Sequence, residues 1–192
     1  MKFWFCLELI LLGFVTNITY AATLSNVNVE KQGEKYILHV QARVFAEPEI
    51  VKDIITDFSN LPSINPYLKK SQIINRDGKS TIVNMLTEAC VLIICYKIND
   101  TQSFRFLDNE TLFSNTIPDM SDFKYGWYRW VIRKNDSFPE KTITEITLDS
   151  EVIPDFFILP IIGTYHLKKK ILDIAEITIK NLEITAQEKA IN

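Results

Sequence analysis

Glycine, histidine and cysteine are scarce here: a chain of 192 residues holds five glycines, two histidines and three cysteines. So few glycines argue against Gly-rich loops that cradle phosphates, and no P-loop, G-x-S-x-G or H-E-x-x-H pattern occurs. His39 and His166 lie far apart and cannot join the cysteines at metal-ligand spacing, so neither a metal nor a cofactor is expected. A basic excess is also missing, since 21 Lys and Arg face 24 Asp and Glu. Nucleic acid is therefore not an expected partner. No internal repeat or heptad seam is visible. With 47% hydrophobic and 23% charged residues, the chain has the make-up of one ordinary globular core.

Long apolar runs are absent as well. The one at Phe3 to Val15 is too short to span a bilayer comfortably, follows a single Lys and precedes Thr19, Ala21 and Ala22. That order predicts a secretory signal peptide over residues 1–22, cut after Ala21, with one domain over 23–192 in a periplasmic or secreted setting. Glu8 interrupts the run, and an uncleaved anchor or a buried first strand are the alternatives.

Export would leave Cys90 and Cys95 as the only cysteines, in an oxidising compartment. A structural disulfide is then expected, with two buried free thiols as the alternative. The C-x4-C spacing is not that of a thiol oxidoreductase. Residues this far apart on one regular strand point to opposite faces, so a bridge requires the chain to turn between Val91 and Ile94.

What the chain does have is clear periodicity. "KYILHVQARV", Lys35 to Val44, alternates like a half-buried strand. "AEPEIVKDIITDF" opens a short helix at Pro48 and spaces Val51, Ile54, Ile55 and Phe58 along one face, before a second helical turn or loop at the prolines that follow. Asp77-Gly78 between β-prone runs marks a hairpin. Further strands follow with short joins, giving about seven antiparallel strands in all. From Gly163 to about Ala186 a long helix carries one apolar stripe, including Ile171 and Ala175. The fold class is thus α+β: a curved antiparallel sheet wrapped around a long C-terminal helix, with two short helices after the first strand. Such a sheet and one helix cannot readily fill the space between them, which implies a cavity.

This order resembles the START-like (SRPBCC) superfamily, the helix-grip fold of polyketide cyclases and coenzyme Q-binding proteins. The similarity runs from about Lys35 to Ala186 and is carried by "VFAEPEIVKDIITDFSNLPSINP", "GWYRW" and "VIPDFFILPIIGTYHLKKKI". It implies a hydrophobic tunnel between sheet and helix, used by most relatives to carry or sense an apolar molecule and by a minority to catalyse. The leader pattern points to an exported bacterial branch.

The expected partner is accordingly a hydrophobic small molecule, lipid or isoprenoid-like. Transient membrane contact is a further expectation. The alternatives are a cyclase- or hydratase-like enzyme and an interaction module with no cavity. Tyr128 and Trp130 share a strand face opposite Arg129 and Arg133 and are candidate pocket wall. Phe58, Tyr67, Met85, Phe113, Ile171 and Ala175 are further candidates for wall or rim. Phe156, Phe157 and Ile161 belong to the apolar stretch "DFFILPIIG", expected to fold back over the sheet end as part of a mobile mouth. No catalytic residue is assigned. His39, among polar strand positions, is expected to face solvent.

Overall fold

The alternation of Lys35 to Val44 does produce a strand, and it lies well inside a sheet. In the computed structural model, which describes residues 23–91, 94–137, 142–158 and 160–191, the elements run β1 (Thr23–Gln32), β2 (Lys35–Val44), α1 (Pro48–Thr56), a 3-10 turn (Leu61–Ser63), β3 (Leu68–Arg76), β4 (Thr81–Val91) and β5 (Ile94–Phe106). They continue with β6 (Thr111–Thr116), a second 3-10 turn (Pro118–Met120), β7 (Phe123–Lys134), β8 (Thr144–Pro154) and α2 (Pro160–Ile191). The proposed leader lies outside the described residues.

All strand pairings are antiparallel and form one sheet in the order β1-β2-β8-β7-β6-β5-β4-β3. The described residues therefore hold 8 strands, one more than expected. The addition is β1, a mostly exposed edge strand joined to β2 through Gly33, whose φ of 63° favours glycine. Its polar sequence has little strand character of its own; pairing with β2 decides its conformation. The helix also begins earlier and ends later than the expected Gly163 to Ala186.

Local chemistry accounts for the joins. Pro48 sits in the first turn of α1, where a missing N–H does no harm. In the β3–β4 turn, Asp77 Oδ1 accepts the backbone N–H groups of Lys79 and Ser80 at 2.9 and 2.7 Å, while Gly78 takes a φ of 84°.

The sheet's concave face packs against α1 and α2, but unevenly. Val44, Val51, Phe58, Phe104, Leu182 and Ala186 belong to one continuous core near α1 and the C-terminal half of α2. Glu183 Oε1 accepts the backbone N–H of Phe45 at 3.1 Å, and Asn181 Nδ2 donates to the carbonyl of Ile64 at 3.1 Å, pinning that half to the loops beside α1. From about Leu182 toward the N-terminal half of α2 the side chains separate, and the interior is hollow.

Candidate ligand-binding site

Period-two alternation decides what faces the hollow. On β5, Ile98, Asp100, Gln102 and Phe104 point inward; on β7, Tyr128 and Trp130 do; on β4, Met85, Thr87 and Ala89. Two chambers result. The outer one, about 220 Å³, lies under the N-terminal half of α2 and is walled by Ala89, Tyr96, Val152, Phe156, Ile171 and Ile174 among others, with Lys170 as its charged residue. The inner one, about 340 Å³, runs under Thr178, Ile179 and Leu182 toward the 3-10 turn at Leu61. Thr87, Ile98 and Phe123 line both, so the chambers adjoin. A volume of about 300 Å³ or more is the usual scale of a small-molecule site.

The inner wall carries a buried polar cluster. Asp100, only 8% exposed, accepts hydrogen bonds from Tyr128 OH (3.2 Å, Oδ2), Thr116 Oγ1 (3.1 Å, Oδ1) and Gln102 Nε2 (Oδ2). Ser114 Oγ donates to Gln102 Oε1 at 2.7 Å and thereby fixes which end of the amide faces Asp100. Burial pushes the Asp100 carboxyl above the usual carboxylate range, and the bonds from Gln102, Thr116 and Tyr128 pull only part of the way back. Burial, and then the Asp100 charge beside it, holds the Tyr128 phenol well above its ordinary value. Gly126 belongs to this arrangement: a Cβ there would stand 2.5 Å from Thr116 Oγ1.

At the outer end, Lys170 Nζ donates to Tyr67 OH (3.2 Å) and lies 3.3 Å from Asp173 Oδ2, to which Tyr67 OH also donates at 3.2 Å. The bond to Tyr67 raises the Lys170 pKa. Phe156 packs its ring on Tyr96 and Phe123, with centroids 5.7 and 5.9 Å apart.

The residues named from sequence are distributed as follows. Met85, Tyr128 and Trp130 line the inner chamber, and Phe156 and Ile171 the outer one. Phe58 lines neither chamber; it is buried in the core with its ring 4.6 Å from that of Phe104. Tyr67 stands on the flank of α2 with Lys170 and Asp173, and Ala175 lies outside both linings. Phe113 is a correction: it falls on the convex face, against Arg105 (4.9 Å) and stacked on Trp127 (6.5 Å), because Leu112 and Ser114 take the inward positions of β6. Phe157 is another, 72% exposed where burial is expected, because its neighbour Phe156 takes the inward direction. The side chain of Ile161 lies outside the described residues.

Cys90 and Cys95 are opposite each other on β4 and β5 and are disulfide-bonded. Both are exposed, on the face away from the hollow. His39 is on the convex face too, but not simply in solvent: its Nδ1 is 2.6 Å from Asp149 Oδ1, and Arg129 donates to Asp149 Oδ2 at 2.7 Å. Partial burial raises the Asp149 pKa, yet the bonds from Arg129 and His39 outweigh it and hold the group below the ordinary range.

The sequence profile of one family, described as polyketide cyclase / dehydrase and lipid transport, matches residues 44–171, about two thirds of the chain. The chain belongs to this family. Solved structures agree on the START-like helix-grip fold. An aromatase/cyclase named Zhui from a Streptomyces species superimposes with a TM-score of 0.65 at 11% identity, covering 81% of this chain and 96% of that one. A START superfamily protein from Mycobacterium smegmatis gives 0.58 at 20% identity, with coverage of 79% and 97%. A STAR-related lipid transfer protein from Xanthomonas axonopodis gives 0.58 at 10% identity, with coverage of 88% and 98%. At these identities they show the fold alone. No curated protein sequence matches the chain. The family, by its description, embraces both cyclisation and lipid transport, and a hydrophobic ligand is common ground between them.

Proposed function

We propose that this family member binds and carries an apolar small molecule, lipid or isoprenoid-like, in the hollow between its sheet and α2. The observation that carries the reading is the outer chamber, whose wall is almost entirely apolar and which shares Thr87, Ile98 and Phe123 with a larger second chamber. Removing ligand surface from water there contributes ~25 cal/mol per Å², enough for firm binding without a dense set of polar contacts. The leader pattern and the exposed disulfide support a periplasmic or secreted setting.

A second reading has one observation in its favour. Asp100 and Tyr128 form a buried acid and phenol beside a cavity, the kind of pair that moves protons in a cyclase-type reaction. One experiment addresses both. Native mass spectrometry of protein isolated from its own compartment, followed by organic extraction, should release one discrete apolar species that reloads unchanged. A protein free of ligand that takes up no apolar dye would overturn the carrier reading. Chemical conversion of the reloaded species would favour the enzyme.

A further inference from the structure

The polar cluster of the inner chamber is more selective than a carrier of plain hydrocarbon requires. Burying Asp100 in an apolar interior has an energetic cost that a leucine at the same position would avoid. Among the described residues no Lys, Arg or His forms an ion pair with it. Its partners are neutral: the hydroxyls of Thr116 and Tyr128 and the amide of Gln102.

The direction of each hydrogen bond narrows what can bind. Thr116, Tyr128 and Ser114 all direct their hydroxyl protons within the cluster. Asp100 has only acceptor capacity to offer while ionised, and the remaining oxygen lone pairs of Tyr128 are acceptors too. The second amide hydrogen of Gln102 is the spare donor. A ligand group that gives one hydrogen bond and takes one fits this inventory. A carboxylate would meet uncompensated like charge, a ketone or ether has no hydrogen to give, and an ammonium, although it would pair with the Asp100 charge, has no lone pair to answer the spare Gln102 donor.

We propose that the inner chamber is the recognition site for the hydroxyl of an apolar alcohol, with Asp100 as acceptor and the hydrocarbon body lying in the outer chamber. This rests on the carrier reading and adds its ligand class and polarity. The alcohol enters hydroxyl first: the shared lining at Thr87, Ile98 and Phe123 leads from the apolar outer chamber to the cluster. Lys170 and the Tyr67 hydroxyl stand at the opposite end, by the tail.

The test is displacement of an apolar dye by dodecanol, dodecyl methyl ether and dodecylamine from the full chain and from Asp100→Asn and Asp100→Leu. A charge-assisted hydrogen bond predicts that the wild type prefers the alcohol over the ether by about tenfold or more. In Asp100→Leu that preference should vanish while the ether binds at least as well as before, and Asp100→Asn should fall between. Equal affinity for alcohol and ether in the wild type, or tighter binding of the amine, would overturn the assignment while leaving the carrier reading in place. Failure of every probe, dye included, to bind the wild type would overturn the carrier reading and this assignment with it. The wild-type ratio stands even if a variant folds poorly.

Discussion

Gly126 and Thr116 show how narrowly the inner wall is fitted. A methyl group at position 126 would meet Thr116 Oγ1 at 2.5 Å and Thr116 Cβ at 3.3 Å, and Thr116 is the side chain that donates to Asp100 Oδ1. Gly126→Ala should therefore lower stability by about 1–3 kcal/mol in urea melts. With Thr116→Ala present the added penalty should shrink, giving a coupling a double-mutant cycle detects. Asp100 supplies a pH test. Its folded pKa is raised, so below the unfolded value of about 3.9 both states are protonated; as pH rises the unfolded chain ionises first, and the wild type loses stability until the folded group ionises too. Asp100→Asn escapes that loss. The stability difference, variant minus wild type, should therefore grow from about pH 4 upward; a flat or falling difference would contradict the burial argument. These residues were legible in principle. "INDTQSF" places Asp100 and Gln102 in the same alternation as Ile98 and Phe104, and that alternation turns them inward, but polar strand residues are ordinarily taken as solvent-facing.

At the scale of elements, α2 does two jobs along one length. Leu182, 1% exposed, belongs to the core and borders the inner chamber, whereas Ile171 is half-buried and lines the outer one. Leu182→Ala should cost about 2–5 kcal/mol in chemical denaturation, and Ile171→Ala clearly less, because the half-buried Ile171 gives up fewer contacts than the fully buried Leu182. Equal penalties would mean that the helix is gripped uniformly. The helix, α1 and the Asp77-Gly78 hairpin were readable because each rests on a local rule: an apolar stripe, a proline in the first turn, a glycine at positive φ. β1 was not, since an exposed edge strand of Asn, Glu and Lys is defined by its partner. Phe113 was misplaced for a related reason. On a strand of 6 residues a shift of one reverses every side chain, and the periodicity of so short a segment sets its register weakly.

Across the whole molecule, the sheet closes on α2 tightly at one end and loosely at the other. The tight end, with Val44, Val51, Phe58 and Ala186, supplies the core; Phe104 and Leu182 stand where that core gives way to the inner chamber, and the loose end opens into the outer one. The disulfide between Cys90 and Cys95 ties β4 to β5 on the outer face, beside the strand ends that bring Ala89, Ile94 and Tyr96 into the outer wall. A hollow that is there to be filled has a signature that a packing defect does not. Plugging it with a side chain should abolish ligand uptake without harming the fold, since the tight end carries the stability.

Saturation binding of an environment-sensitive apolar dye to the wild type and to Ala89→Trp, with thermal melts of both, puts this to the test. The wild type should bind one dye per chain with enhanced emission, and the variant should lose that binding while melting no lower. Absence of uptake by the wild type, or uptake that the tryptophan leaves untouched, would contradict a ligand-bearing space between the sheet and its helix.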